Sequence, residues 1–148
     1  MKERTLFWVT EWLASFIIAG VLLWGFDKVL YPADFARAVY RYHLLPDAMV
    51  NLVALYLTWL EIVCGICLLA VPRFRGAALW IALILLLGFT TGIGINLVRG
   101  TTFGCGCFSA SPDAQPMNWL SVARNAGLIL LVVLALVARR KAQTLTSQ

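Results

Sequence analysis

The sequence predicts an all-α integral membrane protein: a bundle of four transmembrane helices with a short outer amphipathic helix and almost no soluble mass. Three observations lead there. The 148 residues are 61% hydrophobic and only 13% charged, with a mean hydropathy of +0.86, whereas a soluble domain of this size carries about twice that charged fraction. Four stretches reach the roughly 20 apolar residues that a helix needs to cross hydrocarbon. The basic residues sit at the ends of those stretches, so the net charge of +5 reads as span-flanking charge. No basic run is longer than Arg139-Arg140-Lys141, which excludes a nucleic-acid footprint.

In chain order the spans are predicted at residues 6–30, 49–71, 77–98 and 119–138, within one domain covering residues 1–148. Lys2 and Arg4 ahead of an apolar run also fit a signal peptide. The run is long for one, and no small-residue cleavage site closes it, so the first span is read as a retained helix. Lys2, Arg4, Arg73, Arg75, Arg139, Arg140 and Lys141 fall on one side; Lys28, Arg37, Arg41 and Arg99 fall on the other. The positive-inside rule then puts both termini in the cytoplasm and turns loops 31–48 and 99–118 outward. In the first outer loop, Pro32 and Asp34 make a helix start. Phe35, Ala38, Val39 and Tyr42 follow at i, i+3, i+4 and i+7, an amphipathic helix for the outer membrane surface. The second loop is rich in Gly, Ser and Pro and is expected to be irregular. Gly88 and Gly92 have the spacing of a close helix contact, and Tyr31 and Trp119 stand where interfacial aromatics do.

The four cysteines form two unlike pairs. Cys105-Gly106-Cys107 lies in the second outer loop, in a compartment where disulfides persist. A ring closed across one intervening residue needs a bent backbone, which Gly106 permits. Strained, exposed disulfides tend to be labile or catalytic. A redox pair is therefore the leading reading, beside an inert disulfide and a metal pair. Cys64-Gly65-Ile66-Cys67 is formally a C-x-x-C, but it sits inside an apolar span, where a thiol loses reactivity and packing is the expected role.

Other polar residues mark the spans. Glu61 lies near the middle of the second span, where a carboxylate is a functional-site hypothesis by default. Arg124 and Asn125 lie about two turns into the fourth span, at a depth that allows a Glu61–Arg124 pair. Asp27, Lys28, Asn96 and Arg99 end the first and third spans, so an outer polar cluster is expected. Its two readings are an ion-paired packing device and a pocket beneath the cysteine loop for a proton route or a quinone head group. His43, the only histidine, could join the cysteines as a metal ligand. A solvated interfacial histidine is the plainer reading, and no metal site is assigned.

Several of these pieces together resemble the MauE/DoxX-like membrane proteins, and more closely their MauE branch. They are Gly25-Phe26-Asp27-Lys28 with Pro32, Phe35 and Tyr42-His43-Leu44-Leu45-Pro46; Trp59-Leu60-Glu61 with Gly65; Asn96-Leu97-Val98-Arg99-Gly100 leading to Cys105-Gly106-Cys107-Phe108; and Trp119 with Arg124-Asn125. Ser109 departs from the Gly usual after that Phe. The resemblance implies a membrane protein of extracytoplasmic thiol redox. It would support maturation of a periplasmic redox enzyme such as methylamine dehydrogenase, beside a thioredoxin-like partner. It also implies a comparison with the quinone-linked thiol–disulfide oxidoreductases DsbB and VKOR. Cys105 and Cys107 would be the redox pair, with Glu61 and Arg124 supporting. Competing readings are a non-catalytic scaffold subunit of a redox complex and a small transporter or metal handler. No nucleophile–base constellation suggests a hydrolase.

Overall fold

A computed structural model describes residues 2–43, 46–100 and 118–144. Helix α1 runs Lys2–Trp24, α2 Asp27–Leu30, α3 Pro32–Arg41, α4 Asp47–Ala70, α5 Arg75–Val98 and α6 Trp119–Thr144. Four segments are long and apolar enough to cross a membrane: Thr5–Leu30, Asp47–Ala70, Arg75–Val98 and Trp119–Thr144. The all-α, four-span expectation therefore holds. The distribution of side chains says the same from another direction. Glu11, Lys28, Glu61, Arg75, Asn96 and Asn125 are buried, while Phe16, Trp24, Leu52, Ile84 and Leu130 are exposed. Water would reward the reverse arrangement; hydrocarbon rewards this one.

The long helices close a ring in which α1 touches α4 and α6, and α5 touches the same two. Its core is built from small and branched side chains, with Ala14, Ile18 and Ala19 of α1 against Leu68 of α4, Leu79 and Ala82 of α5, and Ala135 of α6. Small residues suit a bundle in lipid, where close van der Waals contact replaces the hydrophobic drive between helices. Gly65 is the sharpest case. A Cβ there would lie 2.9 Å from Leu23 Cγ, so glycine is what lets α1 and α4 approach.

Two expectations change. The first span is not one continuous helix to residue 30; it breaks at Gly25 and Phe26 before α2. The backbone turns tightly there, Phe26 N–H donating to Leu23 O and Lys28 N–H to Gly25 O, each at 3.1 Å. A Cβ on Gly25 would stand 3.2 Å from Lys28 Cε and Nζ, so glycine leaves room for the lysine to fold back into the bundle. Of the Gly88–Gly92 pair, Gly88 makes no tight helix contact among the described residues. A Cβ on Gly88 would meet nothing within 4 Å. Both glycines instead line a groove.

Helix α3 is amphipathic as the spacing predicts. Pro32 opens it, and Asp34 in its first turn pairs with Arg37 at 3.1 Å. Phe35 is buried against Ala54, with Ala36, Val39, Leu57 and Phe89 packed around them. The helix lies on α4, so its apolar face covers the bundle.

Candidate functional site

Two turns of chain meet at one buried ion pair. Lys28 of α2 folds inward and donates from Nζ to Glu61 Oε2 of α4 at 2.7 Å, with both residues almost fully buried. The ammonium also lies 5.0 Å from the centre of the Phe35 ring and 5.6 Å from that of Phe89. A cation this deep is stabilised by an anion and by ring faces, and both are present. Lys28 was expected among the outer basic residues and in the outer polar cluster. It is instead a core residue, because the break at Gly25 turns it inward.

Beside the pair is a small cavity of about 30 Å³ lined by Glu61, Asn125, Val21, Leu22, Leu85, Leu86 and Phe89. Asn125 is only 1% exposed, and neither its Oδ1 nor its Nδ2 has a hydrogen-bond partner among the described residues. An orphaned buried amide costs about 1–3 kcal/mol, so it is a feature to explain. Behind Leu85 and Phe89 lies a larger apolar groove of about 310 Å³ between α3, α4 and α5.

The other expected residues fall into place around this. Arg124 is exposed on α6, one residue before the buried Asn125, and Arg99 is exposed at the end of α5. Asn96 is buried and donates to Gly92 O at 3.0 Å. His43 is exposed after α3, has a left-handed backbone (φ 49°) and meets the Tyr40 ring edge-on at 5.4 Å. Among the described residues, no three His, Cys, Asp or Glu side chains are grouped to hold a metal. Cys64 is buried in the core among Ala19, Leu22 and Leu68, with Cys67 packed against it; both are free thiols. That is the placement expected of packing residues. Cys105, Cys107 and the Asp27 side chain lie outside the described residues.

Sequence reasoning missed a second ionic cluster, at the opposite end of the bundle. Glu11 of α1 is fully buried, and its Oε1 accepts from Arg139 Nη1 at 2.6 Å and stands 4.0 Å from Arg75 Nη1. Arg75 Nε donates to Leu68 O at 3.0 Å, and its guanidinium lies 3.8 Å from the centre of the Trp12 ring. The cluster ties α1, α4, α5 and α6 together. A carboxylate within the first apolar run was the available signal, of the same kind as Glu61. Arg75 and Arg139 had been counted only as flanking charges.

With this geometry in place, comparison with known proteins becomes informative. The family model for methylamine utilisation protein MauE matches residues 6–138. The chain is 35% identical to methylamine utilization protein MauE of Methylorubrum extorquens over 124 residues, covering 82% of this chain and 65% of that protein. It is 32% identical to the Paracoccus denitrificans protein of the same name, covering 84% of this chain and 72% of the relative. It is 38% identical to that of Methylophilus methylotrophus, covering 78% and 61%. The matched part of the chain thus spans about two thirds of the length of these relatives. No solved structure matches significantly.

Proposed function

This chain belongs to the MauE family, and we propose that it is a membrane component of an extracytoplasmic thiol–disulfide pathway. It would lie in the inner membrane with both termini cytoplasmic and the Cys105/Cys107 loop outside. The observation that carries this reading is the Cys105-Gly106-Cys107 motif within the segment that the family model matches. Cys105 and Cys107 exchange with a thioredoxin-like partner. A thiolate of one protein attacks a disulfide sulfur of the other, a mixed disulfide forms, and the displaced sulfur leaves as a thiolate. The neighbouring thiol then resolves the mixed disulfide, so one pair ends oxidised and the other reduced, with two electrons and two protons transferred. The client is a periplasmic enzyme whose maturation needs disulfides, methylamine dehydrogenase being the one that the family resemblance implies; the relatives' names speak of methylamine utilisation. Glu61, held by Lys28, and Arg124 support the membrane side of this site.

Alkylation in intact cells with a membrane-impermeant reagent tests the proposal. The pair should be reachable from outside and should shift between oxidised and reduced forms. Cys105→Ser or Cys107→Ser should trap a thioredoxin-like protein in a mixed disulfide that reductant releases. A pair that stays oxidised, traps no protein and leaves client disulfides unchanged when both cysteines are replaced would refute the exchange role.

A further inference from the structure

The groove between α3, α4 and α5 has three properties that together define a ligand. It opens sideways: Ile84 and Gly88 on its wall are exposed on the bundle's outer surface, which in a membrane is the lipid side. Its lining is apolar apart from Tyr42 and includes the Phe35 and Phe89 rings and the Gly88 and Gly92 positions of α5. Those rings are also the ones that flank the Lys28 ammonium. Leu85 and Phe89 are shared with the small cavity that holds Glu61 and the unpartnered Asn125 amide. Leu85 and Phe89 therefore stand between the groove and the hydrogen-bonding groups of the small cavity.

The occupant needs an apolar tail, since the route runs through hydrocarbon. Its head meets the Phe35 and Phe89 rings and glycine backbone, surfaces that a flat ring suits. It must also be uncharged, because Lys28 and Glu61 already neutralise each other, and a third charge in this setting would be costly. Finally, the head must use an amide that offers both a free donor and a free acceptor. A quinone meets each requirement. Its carbonyl accepts from Asn125 Nδ2 in the oxidised form, and its hydroxyl donates to Asn125 Oδ1 in the reduced form.

We infer that this groove is a lateral binding site for a tailed quinone, with Asn125 as its hydrogen-bonding residue and Phe89 as the side chain that moves aside to admit the ring to it. The choice of a redox-active head rests on the thiol–disulfide reading above; the site itself does not. When bound, a quinone accepts two electrons and two protons, the number released as two thiols close to a disulfide.

The test uses the full chain purified in detergent, with a decyl-tailed azidoquinone as photolabel and decylubiquinone as competitor. Label should concentrate on residues 84–92 and 35–42 and fall as decylubiquinone is added. Gly88→Leu should fill the groove and weaken decylubiquinone binding at least about tenfold. Asn125→Leu should weaken binding by about tenfold, the scale of one or two lost hydrogen bonds. Leu130→Ala, on the exposed face of α6, should change nothing. Label spread evenly over the helix faces, equal displacement by a saturated phosphatidylcholine, or Gly88→Leu that folds and still binds would each overturn the site. Partner trapping by the single-cysteine variants is scored separately. Lost quinone binding with trapping intact sinks this inference alone; quinone binding with no trapping sinks the exchange role alone.

Discussion

Replacing Glu61 with leucine while Lys28 stays in place isolates the cost of an unpaired cation in the membrane interior. The 2.7 Å contact corresponds to roughly 6 kcal/mol of attraction at an effective dielectric constant of about 20. Removing two ions from water costs several kcal/mol each, so the pair as a whole is nearly neutral against two apolar residues of similar size. One partner alone keeps its desolvation penalty and loses the compensation. Glu61→Leu and Lys28→Met should therefore each destabilise the protein by about 3–5 kcal/mol, and the double variant should return to within about 1–2 kcal/mol of wild type. Methionine keeps an unbranched chain for Phe35 and Phe89 to pack on, which limits the change to charge. Reversible unfolding by sodium dodecyl sulfate in mixed micelles, followed by helical circular dichroism, supplies all four corners of the cycle. Single variants costing less than about 1 kcal/mol, or a double variant that costs the sum of the two, would refute the claim that the pair is one buried electrostatic unit.

The same assay reads two further outcomes. Gly65→Ala places a methyl 2.9 Å from Leu23 Cγ and should cost about 1–3 kcal/mol by overpacking, with Leu23→Ala in the same chain recovering part of it. Glu11→Leu leaves the buried Arg75 and the part-buried Arg139 without their shared carboxylate and should cost about 3–5 kcal/mol. Arg139→Ala, which leaves Arg75 near the same oxygen, should cost less.

The four spans were legible because the bilayer imposes a length and a composition that no local detail disguises. The match is close at α4, predicted at 49–71 and found at Asp47–Ala70, and at α5, predicted at 77–98 and found at Arg75–Val98. Helix α3 was legible because one face of ten residues carries its whole apolar content. The break at Gly25 was not, since a continuous apolar run has no periodicity to interrupt. Glu61 stood out by its charge, but its contact with Lys28 did not. Lys28 and Arg124 are both basic residues with long side chains, and choosing Lys28 required knowing that α2 turns it inward. Glu11 was overlooked because it lies near the start of its span, where charge is ordinary, although its side chain proves as buried as any in the molecule. Asn125 was noticed for its place beside Arg124, yet an unsatisfied amide can be recognised only once its neighbours are known.

The inner latch also has an order in time. Glu11 leaves the ribosome 128 positions ahead of Arg139, which meets it at 2.6 Å. Arg75 arrives in between and reaches only 4.0 Å from the same oxygen. Until α6 is inserted, the carboxylate therefore has only the longer contact to Arg75. A chain lacking α6 keeps an under-compensated buried carboxylate, so closing the bundle and neutralising Glu11 are one event.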